Sequence, residues 1–283
     1  MYYYIVDPQK LSQREFERVQ NHLHSSLSEY RISGEIVRVT GLRTVNQLVD
    51  NAFLHGAKTI VAVGSDDTLH DVINAVKGRE TVIGFIPIMD TEIGEILGIR
   101  NINHAAKTIA SRLIADLDLG SVNNNYFFSK LSFGLGMGAT NSKMNLFNFR
   151  LIRSLFHLPQ FEVKFSADHR YVATVKVVGG AIINARGNNC GHGHISNPTD
   201  GVADVVLLSK LPKFQTLKYR GEILSGCFDQ IPQASVVHLR KLEIIAPQGL
   251  PLRVGSRVIA KTPAVIQIIP RALKIIVGRD RKF

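Results

Sequence analysis

The sequence is poor in cysteine, with two residues, Cys190 and Cys227, in a chain of 283. So low a count excludes a disulfide framework and is typical of proteins of the reducing cytoplasm. No apolar run reaches the roughly 18 residues that a membrane-spanning helix requires. The opening stretch MYYYIVDPQK lacks the basic and apolar segments of a signal peptide. We therefore expect a cytoplasmic protein.

A nucleic-acid-binding module is also missing, since the sequence has no zinc-finger spacing and no aromatic RNA-binding signature. Acidic residues are outnumbered, with 34 lysines and arginines against 23 aspartates and glutamates and a net charge of +11. A basic surface attracts nucleic acid, anionic lipid headgroups and anionic small molecules alike. Composition therefore favours an anionic partner but does not identify its chemical class.

Residues 1–118 alternate between strand and helix patterns. The apolar runs YYYIV, GEIVRV, TIVAVG and TVIGFIPI predict strands, and apolar residues recur at helical spacing between them. This alternation with short connections predicts an α/β domain built on a doubly wound parallel sheet. The helix after TIVAVG is predicted to have Asp67 or Thr68 as its N-cap.

Near residue 118 the pattern changes to short strand-like runs separated by Gly, Asn, Pro and Asp. These runs predict a β-sandwich domain over 119–269, with one helical interruption near 141–157. The predicted hinge is Asp118–Gly120. We expect the final segment, from about 270 to 283, to return to the first domain.

Three polar loops follow strands of the first domain, with the sequences VDPQK, GSDDT and PIMDTEIG. In an open parallel sheet, ligands bind outside the carboxyl ends of the strands. The GSDDT loop leads directly into a helix, as phosphate-binding loops do, but has serine and aspartate where a phosphate cradle uses glycine. The sequence therefore predicts a ligand site at these loops.

Five segments resemble motifs of the diacylglycerol kinase catalytic-domain family, which includes bacterial lipid kinases and sphingosine kinases. In chain order they are VAVGSDDTLHDVINAV, IGFIPIMDTEIGEILGI, DLGSVNNNYFFSKLSFGLGMGA, DGVADVVLL and PLRVGSRVIAKTPAVIQIIPRALKIIV. The first is similar to the family pattern V-x-V-G-G-D-G-T-x-x-E-V-x-N-G-L. Order and spacing match over nearly the whole chain.

The resemblance implies transfer of the γ-phosphoryl group of ATP, with Mg²⁺, to a lipid hydroxyl of the diacylglycerol type. It implies that Asp66 is catalytic, either ordering the metal or accepting the hydroxyl proton. In bacterial members, an acidic loop that Asp200 and Asp204 match holds a structural Mg²⁺. The residues that the resemblance places at the nucleotide are Asp7, Thr40, Gly64, Ser65, Asp67, Thr68, Pro87 and Thr91.

Several departures from the family pattern weaken the phosphate cradle. Three family glycines are replaced by Ser65, Asp67 and Asp90, and the closing D-G-E is replaced by VGS at 254–256. Side chains at these positions obstruct the approach of backbone N–H groups to a phosphate. A carboxylate about 4 Å from a phosphate charge costs on the order of 4 kcal/mol at an effective dielectric constant of about 20, which is about a thousandfold in affinity. An extra Mg²⁺ held by Asp66, Asp67 and Asp90 would offset this cost, and a ligand that is not anionic would avoid it.

Two hypotheses about function follow from these departures. One is an active lipid kinase. The other is a pseudokinase that keeps the architecture as a lipid- or protein-binding module without phosphoryl transfer.

Three weaker patterns each have two interpretations. CGHGH at 190–194 fits a zinc site or a turn with surface histidines. KMNLFNFRLIRSLFHL at 143–158 fits a helix resting on an anionic membrane or one packed on the β domain. Glu92 and Glu95 fit replacements for lost acids or an exposed helix face. The candidate partners are a nucleotide and either a lipid substrate or the inner membrane face, and a homodimer is left open.

Overall fold

The computed structural model describes residues 1–8, 11–134, 160–167, 171–187 and 196–283. The chain divides into two compact units, one of Met1–Leu117 with Arg271–Phe283 and one of Asp118–Pro270. The patterns at 143–158 and 190–194 lie outside the described residues, and their two interpretations stay predictions.

Strands and helices alternate in the first part of the chain, and strands dominate afterwards. The described strands are β1 (Tyr2–Val6), β2 (Gly34–Arg38), β3 (Thr59–Gly64), β4 (Val82–Pro87), β5 (Ile114–Val122), β6 (Asn125–Phe127), β7 (Lys130–Gly134), β8 (Phe161–Ala167), β9 (Tyr171–Val177), β10 (Gly179–Ile183), β11 (Ala203–Leu208), β12 (Ala234–Leu239), β13 (Lys241–Ala246), β14 (Pro251–Val254), β15 (Arg257–Lys261) and β16 (Ala264–Ile276). The described helices are α1 (Gln13–Glu29), α2 (Val45–Leu54), α3 (Asp66–Val76), α4 (Glu92–Ile96), α5 (Ile102–Ser111), α6 (Lys213–Lys218) and α7 (Arg220–Ser225).

The first unit is built on a parallel sheet with the strand order β2-β1-β3-β4. The end of β16 adds a further parallel strand beside β4, where Ile275 pairs with Ile83. All residues of β3 are buried, as expected for a central strand covered on both faces. Helix α1 packs with α5, and α2 packs with α3. The apolar sides of these helices supply the rest of the core.

The helices of this unit begin where the sequence supplies capping residues. Ser12 and Glu15 form a capping box at the start of α1, and Thr44 and Gln47 form one at the start of α2. Each box satisfies backbone N–H groups that the first helical turn leaves without a partner. Local sequence therefore fixes where these two helices begin.

The second unit consists of two antiparallel sheets with a shared apolar core. One sheet has the strand order β12-β11-β10-β7-β14-β15, and the other has the order β16-β13-β8-β9. Buried side chains from both sheets form one cluster, including Phe133 and Leu252 from the first and Val163 and Leu242 from the second. Helix α7 and a short 3₁₀ turn pack a second cluster on the outer side of the first sheet.

This architecture confirms the predicted fold class, a parallel α/β unit followed by a β-sandwich. The predicted hinge Asp118–Gly120 coincides with the boundary between the two units, and its residues lie inside strand β5. One expectation about the second unit is wrong. The sequence predicts one helical interruption in this unit, near 141–157, but the structure also contains helices α6 and α7. Cys227 is buried and disulfide-bonded.

Among the described residues, no helix is long and apolar enough to cross a membrane.

Candidate active site

The loop between β3 and α3 is organised by an inward-facing threonine. Thr68 is 1% exposed, and its hydroxyl donates a hydrogen bond to Oδ2 of Asp7 at 3.0 Å. The same hydroxyl oxygen accepts the backbone N–H of Ser65 at 3.2 Å. Ser65 is the N-cap, and α3 begins at Asp66. The predicted N-cap, Asp67 or Thr68, is therefore wrong, because Thr68 is turned into the core to meet Asp7.

Asp7 extends this arrangement to the end of the neighbouring strand β1. Its side chain is buried, and its backbone N–H donates to the carbonyl oxygen of Val63 at 2.9 Å. Three of the residues predicted to contact a nucleotide, Asp7, Ser65 and Thr68, are thus bonded in series. Their described bonds fix the shape of the loop.

Gly64 is required by the close approach of Thr68. A Cβ atom at position 64 would lie 2.3 Å from Oγ1 and 2.8 Å from Cβ of Thr68. Neither distance is compatible with van der Waals contact. The glycine of this loop is therefore explained by packing within the protein.

Asp66 connects this loop to the loop that follows β4. Its Oδ2 accepts the backbone N–H of Glu92 at 3.0 Å, and its Oδ1 accepts the N–H of Ile93 at 3.2 Å. The side chain of Thr91 also hydrogen-bonds to this carboxylate. Asp66 thus satisfies N–H groups in the first turn of α4 that have no partner within the helix.

The protonation equilibrium of Asp66 is strongly shifted. Burial and the negative charge of Glu92 raise the pKa of the Asp66 carboxyl to about 7, although the hydrogen bonds from Ile93, Glu92 and Thr91 oppose the rise. Burial raises the pKa because the charged form loses its hydration. A carboxyl group that titrates near neutral pH at the carboxyl end of a parallel strand is suited to accept a proton.

Three further predicted residues take different positions around these loops. Thr91 is the N-cap of α4, and its side chain accepts the N–H of Gly94 at 3.0 Å. Pro87 ends β4 and is buried. Thr40 is exposed in the turn after the edge strand β2, and its described side-chain hydrogen bond is with the backbone of Arg43. The structure thus joins Thr91 directly to Asp66.

Two acidic side chains stand where the family uses glycine, and they differ in environment. Asp67 is partly buried in the first turn of α3. Asp90 is exposed in the loop before α4. A negative charge in the first turn of a helix interacts favourably with the helix dipole. Asp67 therefore supports the helix while adding negative charge to the loop.

The predicted metal pair lies in the second unit, and its two members are held separately. Asp204 accepts the hydroxyl of Ser196 on Oδ2 at 2.6 Å, and its Oδ1 lies 2.6 Å from Nδ1 of His238. Asp200 is exposed and accepts the backbone N–H of Val202 at 3.0 Å. Within the described parts of the chain, no group of three or more histidine, cysteine, aspartate or glutamate side chains could hold a metal ion. The Mg²⁺ site at Asp200 and Asp204 stays a prediction.

Sequence reasoning missed or undervalued several groups at these positions. Glu92 supplies both an N–H donor and a negative charge to Asp66, although an exposed helix face explained it equally well. Sequence spacing gives no signal that Ser196 and His238 contact Asp204, because Ser196 precedes a turn and His238 lies on the neighbouring strand β12.

The fold, with these loops at the carboxyl ends of its parallel strands, is of the diacylglycerol kinase and NAD kinase type. A family model described as the diacylglycerol kinase catalytic domain matches residues 2–122. A second model, described as the YegS C-terminal NAD kinase beta sandwich-like domain, matches residues 146–277. Residues 2–122 therefore belong to the diacylglycerol kinase catalytic-domain family.

Solved structures with the same fold agree with this assignment. A candidate diacylglycerol kinase from Bacillus anthracis str. Sterne is 18% identical with a TM-score of 0.79, over 99% of this chain and 96% of that chain. A diacylglycerol kinase from the same organism is 17% identical with a TM-score of 0.69, over 99% and 97%. An NAD kinase from Archaeoglobus fulgidus in complex with ATP is 13% identical with a TM-score of 0.57, over 100% and 96%. At these identities the likeness is one of fold. No match to a curated protein was found.

Proposed function

We propose that this protein transfers the γ-phosphoryl group of ATP to the hydroxyl of a diacylglycerol-type lipid, with Asp66 accepting the hydroxyl proton. The observation that carries the proposal is the environment of Asp66. Its partly buried carboxylate joins the loops that follow β3 and β4, and its pKa is raised to about 7. A general base works best when its pKa lies near the operating pH.

The proton-accepting role is compatible with the hydrogen bonds that Asp66 makes. An ionised carboxylate has about four acceptor positions. Two backbone N–H groups and the Thr91 side chain use three of these positions. We assign the remaining position to the substrate hydroxyl, and the bonded loops hold the carboxylate in a fixed orientation.

In the proposed reaction the lipid hydroxyl oxygen forms a bond to the γ-phosphorus. The bond from that phosphorus to the β–γ bridging oxygen breaks, and ADP leaves. The hydroxyl proton goes to Asp66. Catalysis of this type depends mainly on positioning and charge stabilisation.

Mg²⁺ would be held by the carboxylate of Asp67, in the first turn of α3, while the remaining acceptor position of Asp66 receives the substrate hydroxyl. The donor type fits, because Mg²⁺ in kinases takes one or two carboxylates and fills its remaining positions with phosphate oxygens and water. When bound, the ion would neutralise negative charge on the phosphates. Gly64, Ser65, Pro87 and Thr91 would shape the nucleotide side of the site.

The test is transfer of radiolabelled γ-phosphate from Mg-ATP to the lipids of a total bacterial extract in mixed micelles. We expect label in a lipid of the diacylglycerol type. Absence of labelled lipid with a folded protein, across ATP, GTP and CTP as donors, would contradict the proposal.

A catalytically degraded pseudokinase is the second candidate function, and the aspartates at glycine positions favour it. If Asp67 faces the phosphates without compensation, its charge weakens nucleotide binding by up to about a thousandfold. In that case the same architecture would serve as a lipid- or protein-binding module. The two candidates differ in whether the wild-type loop binds nucleotide.

We predict that wild type binds Mg-ATP in calorimetry up to millimolar nucleotide, and that Asp67→Gly binds it more tightly. Asp67→Asn removes the charge without adding backbone freedom and so separates the two effects. Asp50→Asn, on the exposed surface of α2, is the charge control. No binding by wild type with binding restored in Asp67→Gly would favour the pseudokinase, and equal affinity of the two proteins would refute the charge argument.

A further inference from the structure

A short segment of the second unit exposes apolar side chains among cations. It begins after β11 and runs through α6. Phe214 is 79% exposed and Leu217 is 40% exposed. Lys210, Lys213 and Lys218 around them are also exposed. We call these five residues the Phe214 surface.

The orientation of α6 is fixed from its inner side. Thr216 is 5% exposed, and its hydroxyl donates to the carbonyl oxygens of Leu211 at 3.3 Å and Pro212 at 3.1 Å. Leu211 is buried in the apolar cluster that also contains Ile223 and Phe228. Because Thr216 and Leu211 anchor one side of this six-residue helix, Phe214 and Leu217 are held on the other side, toward solvent.

The charge of the segment has one sign. From Val205 to Gly221 the chain contains three lysines and Arg220, and no aspartate or glutamate. Nζ of Lys218 lies 5.0 Å from the centre of the Tyr219 ring, which holds this cation close to the helix. Nη1 of Arg220 donates to the carbonyl oxygen of Leu217 at 3.0 Å. Cations therefore surround the exposed apolar pair.

We propose that the Phe214 surface docks on an anionic phospholipid bilayer. Phe214 and Leu217 enter the boundary between headgroups and acyl chains, and the lysines contact lipid phosphates. Lysine side chains suit this role because their apolar stems lie along the interface while the ammonium groups reach the headgroups. Each cation near an anionic bilayer strengthens binding about fivefold.

A bilayer suits this surface better than a protein partner does. A six-residue helix with long flexible cations presents an adaptable contact, and a bilayer offers diffuse negative charge and an apolar layer to receive it. A protein partner would need a preformed acidic pocket around one phenyl ring. The docking surface deepens the proposed lipid-kinase function, since it brings the protein to its lipid substrate, but it depends on no nucleotide.

The test is sedimentation with large vesicles of phosphatidylcholine alone and of phosphatidylcholine with phosphatidylglycerol in equal amounts, without nucleotide. We expect wild type to sediment with the mixed vesicles and to stay in the supernatant with the neutral ones. Phe214→Ala should weaken binding about tenfold, as loss of one buried aromatic group predicts. Lys210→Glu combined with Lys213→Glu should weaken it more and remove its salt dependence.

Leu54→Ala is the matched control, because Leu54 is 82% exposed in the first unit and lies outside this surface. We expect its vesicle binding to equal that of wild type. Unchanged binding in the Phe214 and lysine variants would overturn the proposal. Failure of wild type to sediment with mixed vesicles would overturn it as well, and a protein would then be the better candidate occupant. Vesicle sedimentation does not depend on phosphoryl transfer, so the two proposals can fail separately. A protein that binds mixed vesicles but transfers no phosphate to lipid would refute the proposed function and leave this inference intact.

Discussion

Asp66→Asn is expected to lower the rate of phosphoryl transfer by about a hundredfold to ten-thousandfold, the usual contribution of a general base. Asparagine keeps the shape of the side chain and can still accept one of the two N–H groups from Glu92 and Ile93. It cannot accept a proton from a substrate hydroxyl at neutral pH. The measurement is kcat/KM for lipid phosphorylation in both proteins.

The pH dependence separates a catalytic role of Asp66 from a structural one. Because the base acts in its ionised form, kcat/KM of wild type should rise about tenfold per pH unit below the pKa of Asp66, which is about 7, and level off above it. The residual activity of Asp66→Asn should lack this rise. An unchanged profile, with thermal unfolding also unchanged, would contradict the assignment. Asp50→Asn should behave like wild type in both measurements.

Breaking the ion pair between Arg186 and Asp229 is expected to destabilise the second unit by about 3–5 kcal/mol. The two side chains are 6% and 5% exposed, and Nη1 of Arg186 bonds to Oδ2 of Asp229. Among the described residues, Oδ1 of Asp229 has no hydrogen-bond partner. Arg186→Met would therefore leave a buried carboxylate that has lost its compensating cation. Chemical denaturation of each variant measures the loss.

A double variant and an exposed pair provide the controls for this prediction. Arg186→Met combined with Asp229→Leu should be less destabilised than Arg186→Met alone, because neither charge is left uncompensated. Arg100 and Asp280 form a pair that is 74% and 59% exposed, so Asp280→Asn should cost under about 1 kcal/mol. Equal costs for Asp229→Asn and Asp280→Asn would show that burial does not strengthen the first pair.

The fold class was predictable because its signals are local and repeated. Strand β3 reads as an uninterrupted apolar run since it is buried along its whole length. The helices of the first unit carry apolar residues at helical spacing, and two of them begin at capping boxes. Such patterns can be recognised in the sequence without knowing which partners each element packs against.

The errors arose where contacts distant in sequence decide local structure. Thr68 is a common N-cap residue type, but its bond to Asp7, 61 positions away, takes its side chain into the core. Helix α6 has six residues, too few for a periodic pattern, and its position depends on Thr216 and Leu211. Asp118–Gly120 marks the boundary between the two units as predicted, but its residues continue strand β5 and form no separate linker.

The candidate site was predictable in its location and not in its bonding. The rule for parallel sheets placed the polar loops at one edge, and the resemblance singled out Asp66. That Asp66 bonds to the N–H groups of Glu92 and Ile93, 26 and 27 positions along the chain, could not be predicted. These bonds and the nearby charge of Glu92 are what distinguish Asp66 from its neighbours on α3.

The most direct test of the role given to Asp66 is the titration of its own carboxyl group. Carbon-13 NMR of aspartate-labelled wild type, with Asp66→Asn used to assign the resonance, measures its pKa between pH 3 and pH 9. We predict a pKa of about 7, well above the ordinary value of 3.8. A pKa near 4 would contradict it, because the carboxylate would then be a poor proton acceptor at neutral pH.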